Sequence, residues 1–400
     1  MISYLILFIS FVMLSFFSFS LSSIFFVAIL AISLYLGLSF DQILFILNEN
    51  FVNLVTKPEV ISVPFFLLSS ELFLNAGFTK RFKEAVFSNF GNNLIGYLIY
   101  FLGICTTISS SVIFSKVLSD DFIKEEFGNK RSFVRSYFLL SAVSYVAPIS
   151  IPLIIIASIL EVSLKKAILI SFSYTLILLV IYYFLLFNKN FMPKKAGTNI
   201  LHILPVAIYF IGLYFLIYVI SLPIDVISQI LFLYTFILVT VTKKFKTHLV
   251  EISAKSAFIR TGIIVSVIYF INIFNFYSVY TNSTENLISN IAILFSESGF
   301  MLVLVYIMAF FLMDLIDPLG IILLLFPIYS NIINAYGLNK YAFLVSFLSF
   351  VAMALIGNIK ELPGNIIREK LILSTFEIND IVLIDFLILS AISFGIYFIL

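Results

Sequence analysis

The sequence predicts an all-α integral membrane protein, and two observations carry that prediction. The first is composition: 62% of the 400 residues are hydrophobic and 11% are charged, whereas soluble domains carry about a quarter charged residues. The second is arrangement, because residues 1–40, 88–115, 137–160, 167–187, 261–284 and 341–359 contain no Asp, Glu, Lys or Arg. Roughly 20 such residues cross the hydrocarbon core as a helix. A barrel strand would need alternating segments of roughly 10 residues, and these blocks do not alternate. The single cysteine, Cys105, excludes an intrachain disulfide, and two histidines far apart, His202 and His248, give no metal pair. The net charge of +2 points to no partner. The opening apolar run has no basic n-region and is too long for a signal peptide, so it is read as two spans joined at 18–23.

Lys and Arg gather in cytoplasmic loops. Basic loops at 189–195 and 243–260 flank two spans that turn at Pro223 and Asp225, so the turn lies outside and both loops lie inside. Residues 116–135 hold five Lys or Arg and fall inside too. The block 88–115 follows Lys80, Arg81 and Lys83 and precedes Lys116, so both its ends read as cytoplasmic. Its apolar arm, 94–105, reaches only about 18 Å at 1.5 Å per residue before the polar run Thr106-Thr107-Ile108-Ser109-Ser110-Ser111. The expectation is a re-entrant helical hairpin over about 88–119, entering from inside. A span over about 137–160 follows, broken at Pro148 and Pro152.

The same order recurs. Residues 1–195 read as two spans, an acidic linker (41–59), a span (61–77), the hairpin, the broken span and a last span. Residues 196–400 read as spans at 199–220 and 226–242, a basic linker (243–260) and a span at 261–280. A second hairpin follows over about 300–335, tipped by Asp314, Asp317, Pro318 and Gly320. A second broken span covers about 341–363, with Gly357 and Asn358 at its break, and a last span closes the chain. Opposite linker charge implies opposite orientation. The expected architecture is therefore two inverted repeats, about ten spanning helices and two re-entrant hairpins, an arrangement found in many secondary transporters. The competing reading is a bundle of ordinary spans in which Ser, Pro and Gly serve packing and kinks.

Irregular backbone at membrane depth persists only where protein buries it or a watered cavity lies beside it. Unwound tips offer carbonyl and hydroxyl oxygens to a cation, and half-helix N-termini offer N–H groups to a carboxylate. The expected ion and substrate sites join Thr107, Ser109, Ser110 and Ser111 to the break at Pro148 and Pro152. A pseudo-symmetric site joins Asp317 and Gly320 to Gly357 and Asn358. Na⁺ is placed at Ser109 and Ser111, and at Gly320 and Gly357, against the alternative that each hydroxyl bonds back to its own helix. Glu71 is an ionisable residue inside a span, hence a functional position, unless it snorkels towards Lys80. Asp225 is expected to cap a helix at the outer face. His202 is placed inside its span and His248 in a solvated loop. No phosphate-cradling loop, zinc pattern or other catalytic motif occurs, and no enzyme activity or cofactor beyond Na⁺ is expected.

These residues resemble the large membrane subunit of tripartite ATP-independent periplasmic (TRAP) transporters. Val63-Pro64-Phe65-Phe66-Leu67-Leu68-Ser69-Ser70-Glu71-Leu72, then Asn75-Ala76-Gly77, is similar to the family's Pro-Leu-Phe…Gly-Glu-Leu-Met…Gly-Gly signature. Ile108-Ser109-Ser110-Ser111 sits where the family carries Ser-Gly-Ser, and Ala147-Pro148-Ile149-Ser150-Ile151-Pro152 resembles its first broken helix. Leu222-Pro223-Ile224-Asp225 and the stretch from Asp317 through Pro327 to Asn339 follow its turn and its outward hairpin. The chain departs from the pattern at Ser110, at Ser115 and at Gly357-Asn358-Ile359, where the family carries Thr-Pro-Pro. The resemblance implies a bacterial inner-membrane permease that imports a small carboxylate with Na⁺ by an elevator motion. It implies two partners as well, a small four-helix membrane subunit and a periplasmic solute-binding protein, within membrane lipid. The alternatives are a polymerase or flippase of envelope glycan synthesis, or a degenerate paralogue that does not transport.

Overall fold

The structure is a computed structural model that describes residues 2–15, 21–90, 94–109, 130–160, 162–186, 199–242, 246–283 and 337–352, with isolated positions elsewhere. Every regular element among the described residues is a helix. They are α1 (Ile2–Ser15), α2 (Leu21–Tyr35), α3 (Phe40–Val55), α4 (Pro58–Asn75), α5 (Phe78–Phe90), α6 (Leu94–Thr107) and α7 (Lys130–Val146). Then come α8 (Ile151–Ile159), α9 (Leu164–Leu186), α10 (Leu204–Tyr214), α11 (Ile224–Val241), α12 (Thr247–Tyr280) and α13 (Lys340–Ala352). A 3₁₀ turn, Ile200–Ile203, leads into α10, and a π turn, Phe215–Val219, ends it.

Five segments are long and apolar enough to cross a membrane: Tyr137–Ala157, Leu164–Phe184, Ile200–Ile220, Ile224–Val241 and Thr247–Tyr280. The pair α3 and α4 makes a sixth if counted as one span bent by 62°. The protein is therefore an all-α integral membrane protein. The expected second hairpin (300–335), and the far end of the second broken span (353–363), lie outside the described residues apart from isolated positions.

The chain forms two compact units, Met1–Ile61 with Ile259–Asn339, and Ser62–Phe258 with Lys340–Leu400. Each draws on both halves of the sequence. In the first unit α1 packs on α2, and α2 meets α12 through Phe25–Phe274 and Phe26–Phe270 ring contacts at 6.0 and 5.7 Å. Buried hydroxyls add polar ties: Ser33 to Tyr277 at 2.8 Å and Ser3 to Thr281 at 2.8 Å. In the second unit the broken segment Tyr137–Ala157 is wholly buried. It packs against α9 and α13, and that surrounds both its halves with helix rather than lipid.

Two expectations about linkers are corrected. Residues 41–59 are not a linker but mostly helix α3, started by a capping box in which Ser39 and Gln42 exchange side-chain and backbone hydrogen bonds. Residues 243–260 largely form the first turns of α12, one helix of 34 residues, about 51 Å long at 1.5 Å per residue. Asp225 is likewise not a cap. Pro223 holds that position without a side-chain bond, and Asp225 sits in the first turn with Oδ1 buried and without a hydrogen bond among the described residues.

Candidate functional site

The site begins at the end of α6. Its 14 residues span about 21 Å at 1.5 Å per residue, short of the roughly 30 Å hydrocarbon core. The helix stops where Thr106, Thr107, Ile108 and Ser109 follow one another, all buried. The Thr107 hydroxyl does not face outward, since it donates back to Gly103 O at 3.0 Å. What Thr107 presents is its carbonyl, which accepts from Ser70 Oγ at 3.0 Å.

Ser70, on α4, is the contact that sequence reasoning missed. It is fully buried, and its Oγ also accepts from Ser109 N–H at 3.2 Å and lies 3.2 Å from Ser109 Oγ. Its neighbours diverge, because successive helical residues point about 100° apart. Ser69 Oγ meets Thr235 Oγ1 on α11 at 2.8 Å. Glu71 Oε1 accepts from Ser256 Oγ on α12 at 2.5 Å, and its Oε2 from Asn75 at 3.4 Å. Asn75 continues to Ser253 at 2.9 Å. Glu71 therefore does not snorkel: it is 3% exposed, while Lys80 pairs with Glu84 at 4.0 Å.

The helix break lies where the two prolines place it. α7 ends at Val146 and α8 starts at Ile151. The last carbonyls of α7 are met by side chains: Tyr145 O by Ser150 Oγ at 2.5 Å, and Val146 O by Ser171 Oγ and by Thr175 Oγ1 at 3.2 Å. At the start of α8, Ile151 N–H donates to Ser109 O at 3.1 Å. Pro152 has no N–H, and Leu153 N–H is capped by Ser150 Oγ at 3.2 Å. The other end of α8 is held by Lys340, whose Nζ donates to Leu160 O at 3.3 Å, a cation at a helix C-terminus.

The structure thus joins Thr107 and Ser109 to the break that contains Pro148, with Pro152 in the first turn of α8 just beyond it, through the Ser109–Ile151 hydrogen bond. Ser110, Ser111, Asp317, Gly320, Gly357 and Asn358 lie outside the described residues.

The junction is rich in oxygen and poor in free N–H. The N–H groups of Ile151 and Leu153 are already engaged, so an anion finds little at this half-helix N-terminus. Three carbonyls are different. Cys105 O loses its helical donor because Ser109 N–H goes to Ser70. Pro148 O loses its donor because residue 152 is proline, and Ile149 O because Leu153 N–H goes to Ser150 Oγ. Among the described residues no loop or turn N–H donates to these carbonyls, and all three residues are buried. Hard oxygens of this kind suit Na⁺ rather than a soft metal. No group of three or more His, Cys, Asp and Glu that could hold a metal occurs among the described residues. Compared with protein-family models and with curated proteins, the chain matches none.

Proposed function

We propose that this chain is the large permease subunit of a TRAP-type transporter in the bacterial inner membrane, importing a small carboxylate coupled to Na⁺. The observation that carries the reading is the hydrogen bond from Ile151 N–H to Ser109 O at 3.1 Å. It puts the end of a helix too short to cross onto a break in a wholly buried span. In this reading residues 88–119 are an inward re-entrant hairpin and residues 300–335 its outward counterpart in an inverted repeat. Ser109, with the carbonyls at 105, 148 and 149, takes the coupling ion. Ser111 joins that site, and Gly320 and Gly357 belong to its symmetric partner. A four-helix membrane subunit and a periplasmic solute-binding protein complete the assembly.

A second reading has its own support. Because the N–H groups at the start of α8 are satisfied within the protein, the first junction has little left with which to hold a carboxylate. That favours a paralogue that keeps the architecture without transport.

Thermal unfolding of the purified protein in Na⁺ against matched choline separates the two. A ligand at about 100 times its dissociation constant stabilises by about 2.7 kcal/mol. The transport reading predicts a Na⁺-specific shift that Ser109→Ala and Ser111→Ala lose. An unchanged melting curve in a well-folded sample would discard Na⁺ coupling and leave the second reading or a proton-coupled variant.

A further inference from the structure

The hydroxyls at the end of α6 differ in where their protons go. Thr106 Oγ1 donates to Gly103 O at 2.9 Å and Thr107 Oγ1 to the same carbonyl at 3.0 Å, so both protons stay within their own helix. Ser109 lies past the last turn of α6. Among the described residues its Oγ meets only Ser70 Oγ, at 3.2 Å. Ser109 is 3% exposed and Ser70 is fully buried, so bulk water offers neither hydroxyl another partner.

Which of the two serines donates follows from counting protons. A serine hydroxyl has one proton to give and two lone pairs to receive. Ser70 Oγ lies 2.8 Å from Phe66 O and 3.0 Å from Thr107 O, and a carbonyl can only accept. The Ser70 proton therefore goes to a carbonyl. One Ser70 lone pair receives Ser109 N–H at 3.2 Å, and the other is left for the Ser109 hydroxyl. The reverse assignment would leave Thr107 O without the Ser70 proton, and the Ser109 hydroxyl proton without an acceptor among the described residues. With its proton held by Ser70, Ser109 Oγ has only lone pairs to offer a ligand. A bare cation uses lone pairs; a carboxylate needs donors and finds none on this atom.

We propose that Ser70 is a positioning residue for ion binding: by taking the Ser109 proton it fixes the Ser109 hydroxyl as a lone-pair donor, and so makes this end of α6 select a cation over a carboxylate. Ser70 has no lone pair left for the ion and acts only through Ser109. The inference rests on the reading that Ser109 takes the coupling ion.

The test measures the Na⁺ concentration that gives half-maximal thermal stabilisation of the purified full-length protein. Choline makes up the ionic strength, and each variant is compared with its own choline baseline. Ser70→Ala releases the Ser109 proton and should raise that concentration about tenfold, equivalent to one well-placed hydrogen bond. A merely structural role would lower the choline baseline and leave the Na⁺ midpoint in place. Ser70→Thr keeps a hydroxyl on the same Cβ and should restore the wild-type midpoint. Ser70→Cys is close to serine in shape but a weak acceptor, and should weaken Na⁺ binding as alanine does without emptying the position. Ser69→Ala, whose wild-type hydroxyl goes to Thr235, should leave the midpoint unchanged. A wild-type midpoint in Ser70→Ala and Ser70→Cys, beside a Na⁺ shift that Ser109→Ala abolishes, would overturn the proposal and leave the ion reading intact. No Na⁺ shift in the wild type would remove both.

Discussion

Replacing Ser70 by alanine removes one hydroxyl and tests how the end of α6 is held. That hydroxyl is fully buried and touches the tip at three atoms, Thr107 O at 3.0 Å and Ser109 N and Oγ at 3.2 Å each. The Phe66 carbonyl, also 2.8 Å from it, keeps its backbone partner in α4 and loses little. The Ser109 N–H loses its only acceptor among the described residues, and a buried orphan of that kind costs about 1–3 kcal/mol. Taking about 2 kcal/mol, local opening at Ser109 should become about 30-fold more frequent. Hydrogen–deuterium exchange of the protein in nanodiscs reads this directly at the Ser109 amide. Ser69→Ala is the control: Ser69 is equally buried on the same helix, but its hydroxyl goes to Thr235, so Ser109 should exchange as in wild type. If Ser70→Ala leaves the Ser109 amide as protected as before, the tip is held by something other than α4 and the argument is wrong.

Other perturbations have definite outcomes. Ser171→Ala with Thr175→Ala strips both donors from the Val146 carbonyl and should destabilise by about 1–3 kcal/mol in denaturant titration. Each single change should cost less than half of that, since the other donor remains. Gly103→Ala pushes a methyl into the Phe82 ring and should cost about 1–3 kcal/mol as overpacking, with Phe82→Leu restoring much of the loss in a double-mutant cycle. Glu71→Gln keeps an acceptor for Ser256 and should melt near wild type, whereas Glu71→Leu should melt clearly lower by differential scanning fluorimetry. Cys105 is fully buried and should react with maleimide only once the detergent-solubilised protein is unfolded.

Several of these features were legible in the residues themselves. Proline removes an N–H and breaks the helical ladder, so Pro148 and Pro152 located the break that lies between Val146 and Ile151. The end of α6 followed from a polar run closing an apolar one. In the two linkers the charge suggests loop, but the local pattern dictates helix. Ser39-x-x-Gln42 is a capping-box signature, and Glu251 and Lys255 stand four apart as helical neighbours do; both signals were present in segments that form helix. Ser70 could not be singled out. It is one serine among many, and only tertiary packing brings residues 39 positions apart into contact. Lys340 has a structural role that its sequence position does not suggest, at the Leu160 carbonyl just past the end of α8.

The most direct test of the proposed topology, in which residues 88–119 enter the membrane and return to the same side, is cysteine accessibility. In a Cys105→Ala background, Gly91→Cys and Ser119→Cys would be labelled with a membrane-impermeant maleimide, in intact spheroplasts and in inverted vesicles. The account predicts that both positions react only in inverted vesicles, from the cytoplasmic face. Labelling of the two from opposite faces would make 88–119 an ordinary crossing and remove the basis for the transporter reading.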